Sequence, residues 1–479
     1  MHCIYKRNSK NIREGDVFFS IKGMFKNGNE FIFEAIDRGA KKVLAQRDNP
    51  LTKEQYDYIQ KRGKDFEYVE NIYEAFALSL KKFYGIDETD FTLFGVTGTK
   101  GKTTTAHCIF RFLKELNIPA GLMSSAGHFL DNESFTGEGL TTEMADVIYP
   151  FLFRAKQKKI KHIVLEVSSH AFSQGRVVGL SFDGFIFNNF SQEHGESHKT
   201  QKDYFLAKCL LYKYTKDTGV IILNKGDKKV FGSKRFKKKN QIIFCFKKYD
   251  ESNYHADNYE IIEETILKTT AKILYSNHEY IFSTRWGGDY NIENIFSSIM
   301  LIEKFFILDE KKIKYLFDQT AFFPDIAGRN EKYILNNGAI ACIEKAPTPN
   351  SVTKTLDRLR QLTKHLIVVF GCGGNRDKKK RKIIAKLIEK AADIVIVAMD
   401  NPRFESIENI FKDISRGFSF SKNIFFIQDR KEAINQAIEK STKNSIIALI
   451  GKGDEVYQEI SGKKYPFSER NIIQEYVAY

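Results

Sequence analysis

The stretch Val96-Thr97-Gly98-Thr99-Lys100-Gly101-Lys102-Thr103-Thr104-Thr105 decides the fold of this chain. It follows the apolar run Phe91–Val96 and precedes a segment in which apolar residues recur at helical spacing, namely Ala106, Ile109, Phe110 and Leu113. Strand, glycine-rich turn and helix is the context in which a phosphate loop forms. Glycines let backbone N–H groups crowd around an anion, and the helix N-terminus adds its positive dipole. The stretch therefore predicts a nucleoside triphosphate site on an α/β sheet.

Each residue type in this loop has a physical task. Lys102 can reach the terminal phosphates of a nucleotide, and the Thr103 hydroxyl can ligate Mg²⁺. The first glycine of the general pattern falls on Val96, so the loop is a variant. An ordinary strand–turn–helix corner is the alternative, but turn chemistry alone does not explain a Gly-Lys-Thr-Thr run. The predicted contacts to the nucleotide are Gly98, Thr99, Lys100, Gly101, Lys102, Thr103 and Thr104.

Length and composition bound the class of protein. At 479 residues the chain predicts about three domains, and 42% hydrophobic with 28% charged residues is typical of a soluble globular protein. The longest apolar runs, such as Ile446–Ile450, are far shorter than the ~20 residues of a membrane helix, and the first residues lack the apolar core of a signal peptide. Six scattered cysteines without a Cys-x-x-Cys pair indicate reduced thiols. We expect a cytoplasmic protein that does not insert into a membrane.

The net charge of +15 does not by itself identify the class of binding partner. A basic balance suits nucleic acid, but it also suits anionic small substrates such as nucleotides. The basic runs Lys234–Lys239 and Lys378–Lys382 are typical of solvated loops, and no nucleic-acid-binding module is recognisable. We expect no nucleic-acid partner.

Strand and helix patterns divide the chain into three parts. Residues 1–88 indicate a small α/β unit, residues 89–326 alternate strand and helix as a parallel sheet requires, and residues 327–479 repeat that alternation without a phosphate loop. The predicted fold class is α/β with a small N-terminal domain, a central parallel-sheet P-loop domain and a C-terminal Rossmann-like domain. Ligands gather at the carboxyl ends of the strands in such sheets.

Several polar residues stand at predicted strand ends or in unusual surroundings. Glu166 follows the strand His162–Val167 and is a natural second Mg²⁺ contact, with a plain surface acid as the alternative. The segment 192–198 holds two histidines and two acids, which suits a metal contact, a base or a hydrated loop. Lys208 lies in an apolar helical stretch, and the pattern alone favours a lysine that snorkels to solvent.

Two later loops resemble ligand loops. Gly371–Asp377 offers glycines for close backbone approach together with Arg376, and Asp400–Arg403 offers a planar guanidinium donor for a carboxylate. Each loop alone is equally compatible with an ordinary turn.

Taken together, these stretches resemble the Mur ligase family over nearly the whole chain. Gly98–Thr104 is similar to the family's phosphate loop, and Glu166–His170 followed by Gln174–Arg176 is the most specific similarity. The motif order then continues through His194, Lys208, Asn291, Asn294, Gly328-Arg329, Asp400–Arg403 and Gly451–Glu455. The resemblance implies a monomeric, ATP-dependent amide ligase of peptidoglycan synthesis. Such an enzyme adds a diamino acid to UDP-N-acetylmuramoyl-L-alanyl-D-glutamate through an acyl phosphate.

The resemblance also implies a role for individual residues, with ATP and Mg²⁺ as cofactors. The implied catalytic residues are Lys102, Lys208 and His194. The implied nucleotide contacts outside the loop are Asn291 and Arg329. The implied Mg²⁺ contacts are Thr103, Glu166, His194 and Lys208, the last in carbamylated form. The implied contacts to the UDP-muramoyl-peptide are Ser9, Thr141, Thr142, Ser169, Gln174 and Arg176. The implied contacts to the incoming amino acid are Arg376, Asn401, Arg403, Gly451 and Glu455.

Three stretches depart from the family pattern. Glu344-Lys345-Ala346-Pro347 replaces Asp-Tyr-Ala-His, Asn8-Ser9-Lys10 replaces Asp-Ser-Arg, and Asp454 replaces a histidine. The Asp-Asn-Pro-Arg motif with Arg376 resembles the meso-diaminopimelate pattern, whereas the charge of Asp454 could favour the plain ammonium of L-lysine or L-ornithine. We expect meso-diaminopimelate.

Two other functions remain as alternatives. A folylpolyglutamate synthetase-like ligase shares the phosphate loop, but the stretch 166–176 and the N-terminal domain argue against it. A decayed ligase scaffold with a binding role is suggested by the departures at 344–347 and 8–10. The intact set of predicted active-site residues argues against decay: Lys102, Thr103, Glu166, His194 and Lys208.

Overall fold

The computed structural model describes residues 4–23, 26–191, 200–224, 227–231, 240–244, 259–419 and 423–477. Three main sheets follow one another along the chain, and helices pack on their faces. The predicted α/β fold class is confirmed. Among the described residues, no helix combines the length and the apolar character that crossing a membrane requires.

The N-terminal unit contains four parallel strands in the order β1-β2-β3-β4. Its strands are β1 (Tyr5–Lys6), β2 (Val17–Ser20), β3 (Lys42–Gln46) and β4 (Asp65–Val69). Its helices are α1 (Ile32–Asp37), α2 (Lys53–Lys61) and α3 (Ile72–Tyr84), with 3₁₀ turns at Ser9–Asn11 and Gly28–Phe31. Phe19 and Phe76 share one apolar cluster with Ile148 and Leu152 of the central unit, so the two units pack on a continuous core.

The central unit is built on eight strands in the order β12-β11-β10-β5-β9-β6-β7-β8. Its strands are β5 (Thr92–Thr97), β6 (Ala120–Ser124), β7 (Gly127–Leu130), β8 (Glu133–Phe135), β9 (His162–Glu166), β10 (Phe182–Phe187), β11 (Thr215–Asn224) and β12 (Asn240–Phe244). Its helices are α4 (Lys102–Glu115), α5 (Ala145–Gln157), α6 (Ser169–Ser173), α7 (Gln201–Cys209), α8 (Leu211–Tyr214), α9 (Lys228–Phe231), α10 (Asp289–Phe305) and α11 (Glu310–Gln319). The strands from β12 to β6 are parallel, whereas β7 and β8 form an antiparallel edge.

A second antiparallel element also departs from the predicted strand–helix alternation. It is a three-stranded sheet of β13 (Tyr259–Glu264), β14 (Thr269–Tyr275) and β15 (His278–Thr284). Along β14, Ala271 and Ile273 are buried while Leu274 is exposed, which is the alternation of a sheet with one solvated face. Ser276 and Asn277 both have positive φ, as a two-residue hairpin turn requires.

The C-terminal unit contains six strands in the order β16-β17-β21-β18-β19-β20, antiparallel only at the β16 edge. Its strands, with a final hairpin, are β16 (Glu331–Ile334), β17 (Ile340–Glu344), β18 (His365–Phe370), β19 (Ile394–Ala398), β20 (Asn423–Ile427), β21 (Ser445–Ile450), β22 (Tyr457–Ile460) and β23 (Lys463–Pro466). Its helices are α12 (Pro349–Leu362), α13 (Lys379–Ala391), α14 (Ile407–Ser415), α15 (Arg430–Glu439) and α16 (Glu469–Gln474). All six residues of β21 are buried, as in parallel sheets covered on both faces.

The sheet register places the predicted active-site residues at one edge. Val96 pairs with Glu166 and Thr97 with Phe187, so the phosphate loop, Glu166 and Asn188 leave neighbouring strands side by side. This is the carboxyl edge at which ligands bind in open α/β sheets. Each main sheet lies within one of the three predicted ranges, and on that basis we propose domains 1–88, 89–326 and 327–479.

Candidate active site

The phosphate loop is held in shape by the end of β10 and by α10. Gly101 has φ +79° and precedes α4; a Cβ atom there would lie 2.6 Å from Asn294 Oδ1 and 2.9 Å from Asn188 Nδ2. Only glycine fits this backbone and this space. The backbone N–H groups of Thr99 and Lys100 donate to the carbonyl and side-chain oxygens of Asn189, each at 2.9 Å. The loop is therefore fixed before any nucleotide arrives.

Lys102 and Thr103 lie at the phosphate loop, where the Lys102 side chain turns back on the loop and the Thr103 hydroxyl contacts Glu166. The Lys102 ammonium lies over the loop and donates to the carbonyl oxygens of Gly98 and Thr99, both at 3.1 Å. The Thr103 hydroxyl donates to Glu166 Oε2 at 3.1 Å. Ser125, at the end of β6, donates its backbone N–H to the same Glu166 oxygen at 3.0 Å. Sequence reasoning missed Ser125, although its place directly after a buried strand was a usable signal.

The chemistry of Thr103 and Glu166 suits Mg²⁺. Both offer oxygen atoms, and their 3.1 Å separation is close to the ~3 Å between adjacent ligands of an octahedral ion with ~2.1 Å bonds. The Glu166 side chain is buried. Among the described residues, no group of three or more His, Cys, Asp or Glu side chains could hold a metal. His194, the further predicted contact, lies in 192–199, outside the described residues.

Lys208 points into the protein, so the snorkelling alternative is wrong. It lies in the last turn of α7 and is only 1% exposed. Its Nζ donates to the carbonyl oxygen of Gly98 at 2.8 Å and lies 4.6 Å from the centre of the Tyr204 ring. The physical reason is that this face of α7 packs against the phosphate loop rather than facing solvent. Lys102 and Lys208 thus meet at the same carbonyl group.

The predicted nucleotide contacts outside the loop also converge on it. Asn291, in the first turn of α10, donates to Gly287 O at 2.8 Å and accepts from Asn294 at 3.1 Å. Arg329 reaches across from the C-terminal unit, and its Nη2 lies 3.3 Å from both Thr103 Oγ1 and Ser125 Oγ. Arg329 therefore connects the C-terminal unit directly to the phosphate loop.

These residues line a cleft of about 440 Å³ between the central and C-terminal units. Thr103, Glu166, Asn291 and Arg329 form part of its wall, as do the aromatic side chains of Trp286 and Tyr290, which sequence reasoning missed. This size, with polar groups at one end and aromatic surface within reach, suits a nucleotide.

Two of the three departures from the family pattern, at 344–347 and at Asp454, lie at the wall of the cleft that belongs to the C-terminal unit. Glu344 accepts the backbone N–H of Asn330 at 2.6 Å, and its burial raises the pKa of its carboxyl group, while the positive charge of Arg329 acts in the opposite direction. Lys345 Nζ lies 2.7 Å from Asp454 Oδ1, and Arg329 Nη1 lies 3.5 Å from the same oxygen. The changed residues therefore contact one another.

Three of the six predicted contacts to the UDP-muramoyl-peptide, Thr142, Gln174 and Arg176, form a chain of hydrogen bonds that begins at the backbone of Glu166. Thr142 donates its hydroxyl to Glu166 O at 2.9 Å, and Arg176 donates to Thr142 O at 2.6 Å and to Gln174 Oε1 at 2.6 Å. Ser169 begins the short helix α6, and Thr141 lines the nucleotide cleft. Ser9 lies in the N-terminal unit, where its hydroxyl donates to Glu34 Oε2 at 2.6 Å.

The predicted amino-acid contacts form a second cluster, at the carboxyl edge of the C-terminal sheet. Asn401 donates to Glu455 Oε2 at 2.7 Å, and Arg403 donates to Gly374 O at 2.9 Å. A Cβ atom on Gly373 would lie 2.9 Å from Arg403 Nη1 and 3.6 Å from Arg376 Cγ, so the two arginines flank this glycine.

Lys452, between Gly451 and Gly453, is the buried centre of the same cluster. Its Nζ lies 3.2 Å from Asn401 Oδ1 and 3.5 Å from carboxylate oxygens of Asp400 and Glu455. Sequence reasoning missed this role, although a lysine between two glycines after a buried strand was the available signal.

Comparison with known proteins identifies relatives across the whole chain. Residues 96–302 match the Mur ligase middle domain, and residues 328–453 match the family described as Mur ligase, glutamate ligase domain. The UDP-N-acetylmuramoyl-L-alanyl-D-glutamate–2,6-diaminopimelate ligase of Aquifex aeolicus is 34% identical over 98% of this chain and 92% of its own. The ligase of the same name from Clostridium botulinum is 30% identical over 98% of this chain and 94% of its own. A solved structure of a ligase with that name shares the fold at 22% identity, with a TM-score of 0.63 and coverage of 98% and 93%.

Proposed function

The chain belongs to the Mur ligase family, and we propose that it joins meso-diaminopimelate to UDP-N-acetylmuramoyl-L-alanyl-D-glutamate with hydrolysis of ATP. The observation that carries this proposal is the arrangement of the two clusters. The phosphate loop with Thr103 and Glu166 lies on the central unit, and the Asn401–Arg403 cluster lies on the C-terminal unit. The named activity of relatives that match nearly the full length supports the same reaction.

The proposed reaction has two steps. The terminal carboxylate of the peptide attacks the γ-phosphate of ATP, the bond to ADP breaks, and an acyl phosphate forms. The amine of diaminopimelate then attacks the acyl carbon, phosphate leaves, and an amide bond forms with loss of a proton. Such phosphoryl transfer depends mainly on positioning and on charge stabilisation.

The residues of this chain supply both requirements. Lys102 and Arg329 place positive charge beside the phosphates, and the backbone of the phosphate loop orients them. Thr103 and Glu166 would hold Mg²⁺, which offsets negative charge on the phosphates when bound. Thr142, Gln174 and Arg176 would orient the peptide carboxylate next to Glu166, and His194 would add a further metal contact.

We also propose that Lys208 is carbamylated. The neutral amine attacks CO₂, a nitrogen–carbon bond forms and a proton leaves, so an ammonium group becomes a carboxylate-like oxygen ligand. The support is the burial of Lys208 beside the phosphate loop, with its nitrogen 2.8 Å from Gly98 O.

The structure favours meso-diaminopimelate over L-lysine or L-ornithine. Arg376 and Arg403 flank one glycine loop, and guanidinium groups suit the second carboxylate that only diaminopimelate carries. Asp454, which could have held a plain terminal ammonium, instead contacts Lys345 and Arg329.

Phosphate release from ATP with UDP-N-acetylmuramoyl-L-Ala-D-Glu tests the proposal. Meso-diaminopimelate, L-lysine, L-ornithine and no amino acid are compared, with folate plus glutamate as a separate arm and Lys102→Ala as the inactive control. Turnover with meso-diaminopimelate alone supports the proposal. Turnover only with another diamino acid or with folate overturns the assigned substrate, and silence from folded protein that still binds ATP indicates a decayed scaffold.

We further propose that the protein is a cytoplasmic monomer. Its proposed substrates include small anionic nucleotides, and the described cysteines Cys108, Cys209, Cys342 and Cys372 are buried thiols. Light scattering after size-exclusion chromatography tests the monomer, since a mass near twice the 55.3 kDa of the chain would contradict it.

A further inference from the structure

Lys345 and Asp454 come from different loops and form one ion pair. Lys345 directly follows β17, and Asp454 lies four residues after β21. The two strands are neighbours in the sheet, and Glu344 pairs with Ile450, so both loops leave the sheet at the same point. The Lys345 Nζ–Asp454 Oδ1 distance is 2.7 Å. Two departures from the family pattern are thus spatially coupled.

The backbone around the pair is closely packed. A Cβ atom on Gly328 (φ +65°) would lie 2.2 Å from Asp454 N, and one on Gly453 (φ +59°) would lie 2.5 Å from Lys345 Cβ. Lys345 also donates its backbone N–H to Gly328 O at 2.9 Å. The main chains of both partners are therefore fixed, so the pair is part of the local architecture rather than a chance contact of two mobile surface side chains.

The pair lies at the edge of the nucleotide cleft, with Lys345 in the cleft lining. Arg329 connects it to the phosphate loop, since one guanidinium nitrogen lies 3.5 Å from Asp454 Oδ1 and the other lies 3.3 Å from Thr103 Oγ1. Lys345 and Arg329 both line the cleft. Two cations, Lys345 and Arg329, share the Asp454 carboxylate at this point of the wall. An ammonium on a flexible four-carbon stem can move from a carboxylate to a phosphate.

We propose that Lys345 binds the terminal phosphates of ATP from the C-terminal side of the cleft, and that Asp454 positions Lys345 and Arg329 for this contact. The proposal deepens the proposed function, because it rests on ATP being the nucleotide. Asp454 is then a positioning residue of the nucleotide site and does not contact the incoming diamino acid.

Nucleotide titrations on the full-length protein without peptide substrate test Lys345. Lys345→Met is expected to weaken ATP binding roughly tenfold and ADP binding much less, because a charge-assisted contact to the last phosphate is lost. Lys345→Arg should retain the preference for ATP, which a merely structural role would not predict. Lys463→Met, a change at an exposed lysine of β23 that does not line the cleft, is the matched control and should leave the ATP-to-ADP affinity ratio unchanged.

Asp454→Asn tests the positioning role. It is expected to weaken ATP binding less than Lys345→Met, to add little to it in the double variant, and to leave the KM for diaminopimelate within about twofold. An unchanged ATP-to-ADP ratio in Lys345→Met overturns the phosphate contact. A tenfold rise in the KM for diaminopimelate with unchanged ATP affinity in Asp454→Asn overturns the positioning role.

The two proposals fail separately. If the parent protein binds ATP and Lys345→Met lowers the ATP-to-ADP ratio, the phosphate contact stands even when no ligase turnover is found. If the parent turns over substrate and Lys345→Met keeps the ratio of the parent, the ligase function stands and the phosphate contact is wrong. Thermal melting of each variant identifies any loss that comes from misfolding.

Discussion

The two sides of the nucleotide cleft are built in different ways. On the central side, Thr103, Ser125 and Glu166 form a compact set of hydrogen bonds at 3.0–3.1 Å, and the sequence follows the family pattern. On the C-terminal side, charges meet across loops, as in Lys345–Asp454, and the sequence departs from that pattern. The difference indicates that the chemistry of phosphoryl transfer leaves little choice of residue, whereas a wall that only supplies charge can be rebuilt from other residues.

The largest effect is expected from Glu166→Gln on the central side. The amide places an NH₂ group or a weaker acceptor opposite two donors and removes a negative ligand for Mg²⁺. We expect kcat to fall roughly 10²–10³-fold, measured as phosphate release at saturating substrates. Ser125→Ala, which keeps the backbone donor to Glu166, is the control and should lose far less. If Glu166→Gln kept a tenth of the parent activity, the central side would tolerate a change of residue, contrary to the difference proposed between the two sides.

Lys452→Met should give the largest loss of stability on the C-terminal side. The Lys452 side chain is buried among Asp400, Asn401 and Glu455, and its removal leaves two partly buried carboxylates without their cation. Breaking a buried pair costs about 3 kcal/mol, measured as the shift in urea-induced unfolding of the C-terminal unit. Lys463→Met, at an exposed lysine of the nearby hairpin, should change stability little. Equal unfolding midpoints for the two variants would show that the cluster is solvated.

The central side could be predicted from sequence because its signals are local. The phosphate loop follows a buried strand and begins a helix within ten residues, and the predicted strand His162–Val167 corresponds to β9, which ends one residue earlier at Glu166. The antiparallel β7–β8 edge and the β13–β15 sheet were missed, because short alternating strands give a weaker signal than buried runs. The direction of Lys208 could not be read from the sequence, since an inward and an outward lysine on an apolar helix give the same pattern.

The C-terminal side depends on contacts between distant positions. Lys345 and Asp454 are 109 residues apart, and their contact follows from β17 lying beside β21 in the sheet. No local pattern indicates that strand order. Sequence reasoning therefore identified Asp454 as a departure, but it could not predict the contact between Asp454 and Lys345.

Lys208 and Lys452, two buried lysines on opposite sides of the cleft, should differ in chemistry. Lys208 contacts a carbonyl and an aromatic ring, whereas Lys452 contacts the carboxylates of Asp400 and Glu455. We expect a carbamate signal in ¹³C NMR spectra of the parent supplied with ¹³C-bicarbonate, and its loss in Lys208→Met but not in a folded Lys452→Arg variant. We also expect activity of Lys208→Met to fall roughly 10–100-fold. A signal that persists in Lys208→Met would place the carbamate elsewhere.

The smallest expected effect is a pH dependence of stability that arises from Glu344. Glu331, in the neighbouring strand, should contribute a pH dependence of the opposite sign. Burial raises the pKa of Glu344, so the folded state holds its proton more tightly than the unfolded state, and ionisation destabilises the fold as pH rises above the ordinary value of 4.5. Glu344→Gln removes that ionisation. The variant should therefore become more stable relative to the parent as pH rises from 4 to 8. This gain in the free energy of unfolding should be smaller than the loss expected for Lys452→Met.

Glu331 should show the reverse sign. Burial alone would raise its pKa, but hydrogen bonds from Arg470, at 2.5 and 2.8 Å, and from Tyr333 lower it overall. Its ionised form therefore stabilises the fold above pH 4.5, and that contribution is lost as pH falls. Glu331→Gln should be less stable than the parent at pH 8 and approach it at pH 4, as urea midpoints across this range would show. Glu344 lies in the wall of the nucleotide cleft, and Glu331 belongs to the ion pair that anchors α16 to the sheet. If the stability of both variants relative to the parent changed in the same direction with pH, the charges of these two carboxylates would not distinguish the two places.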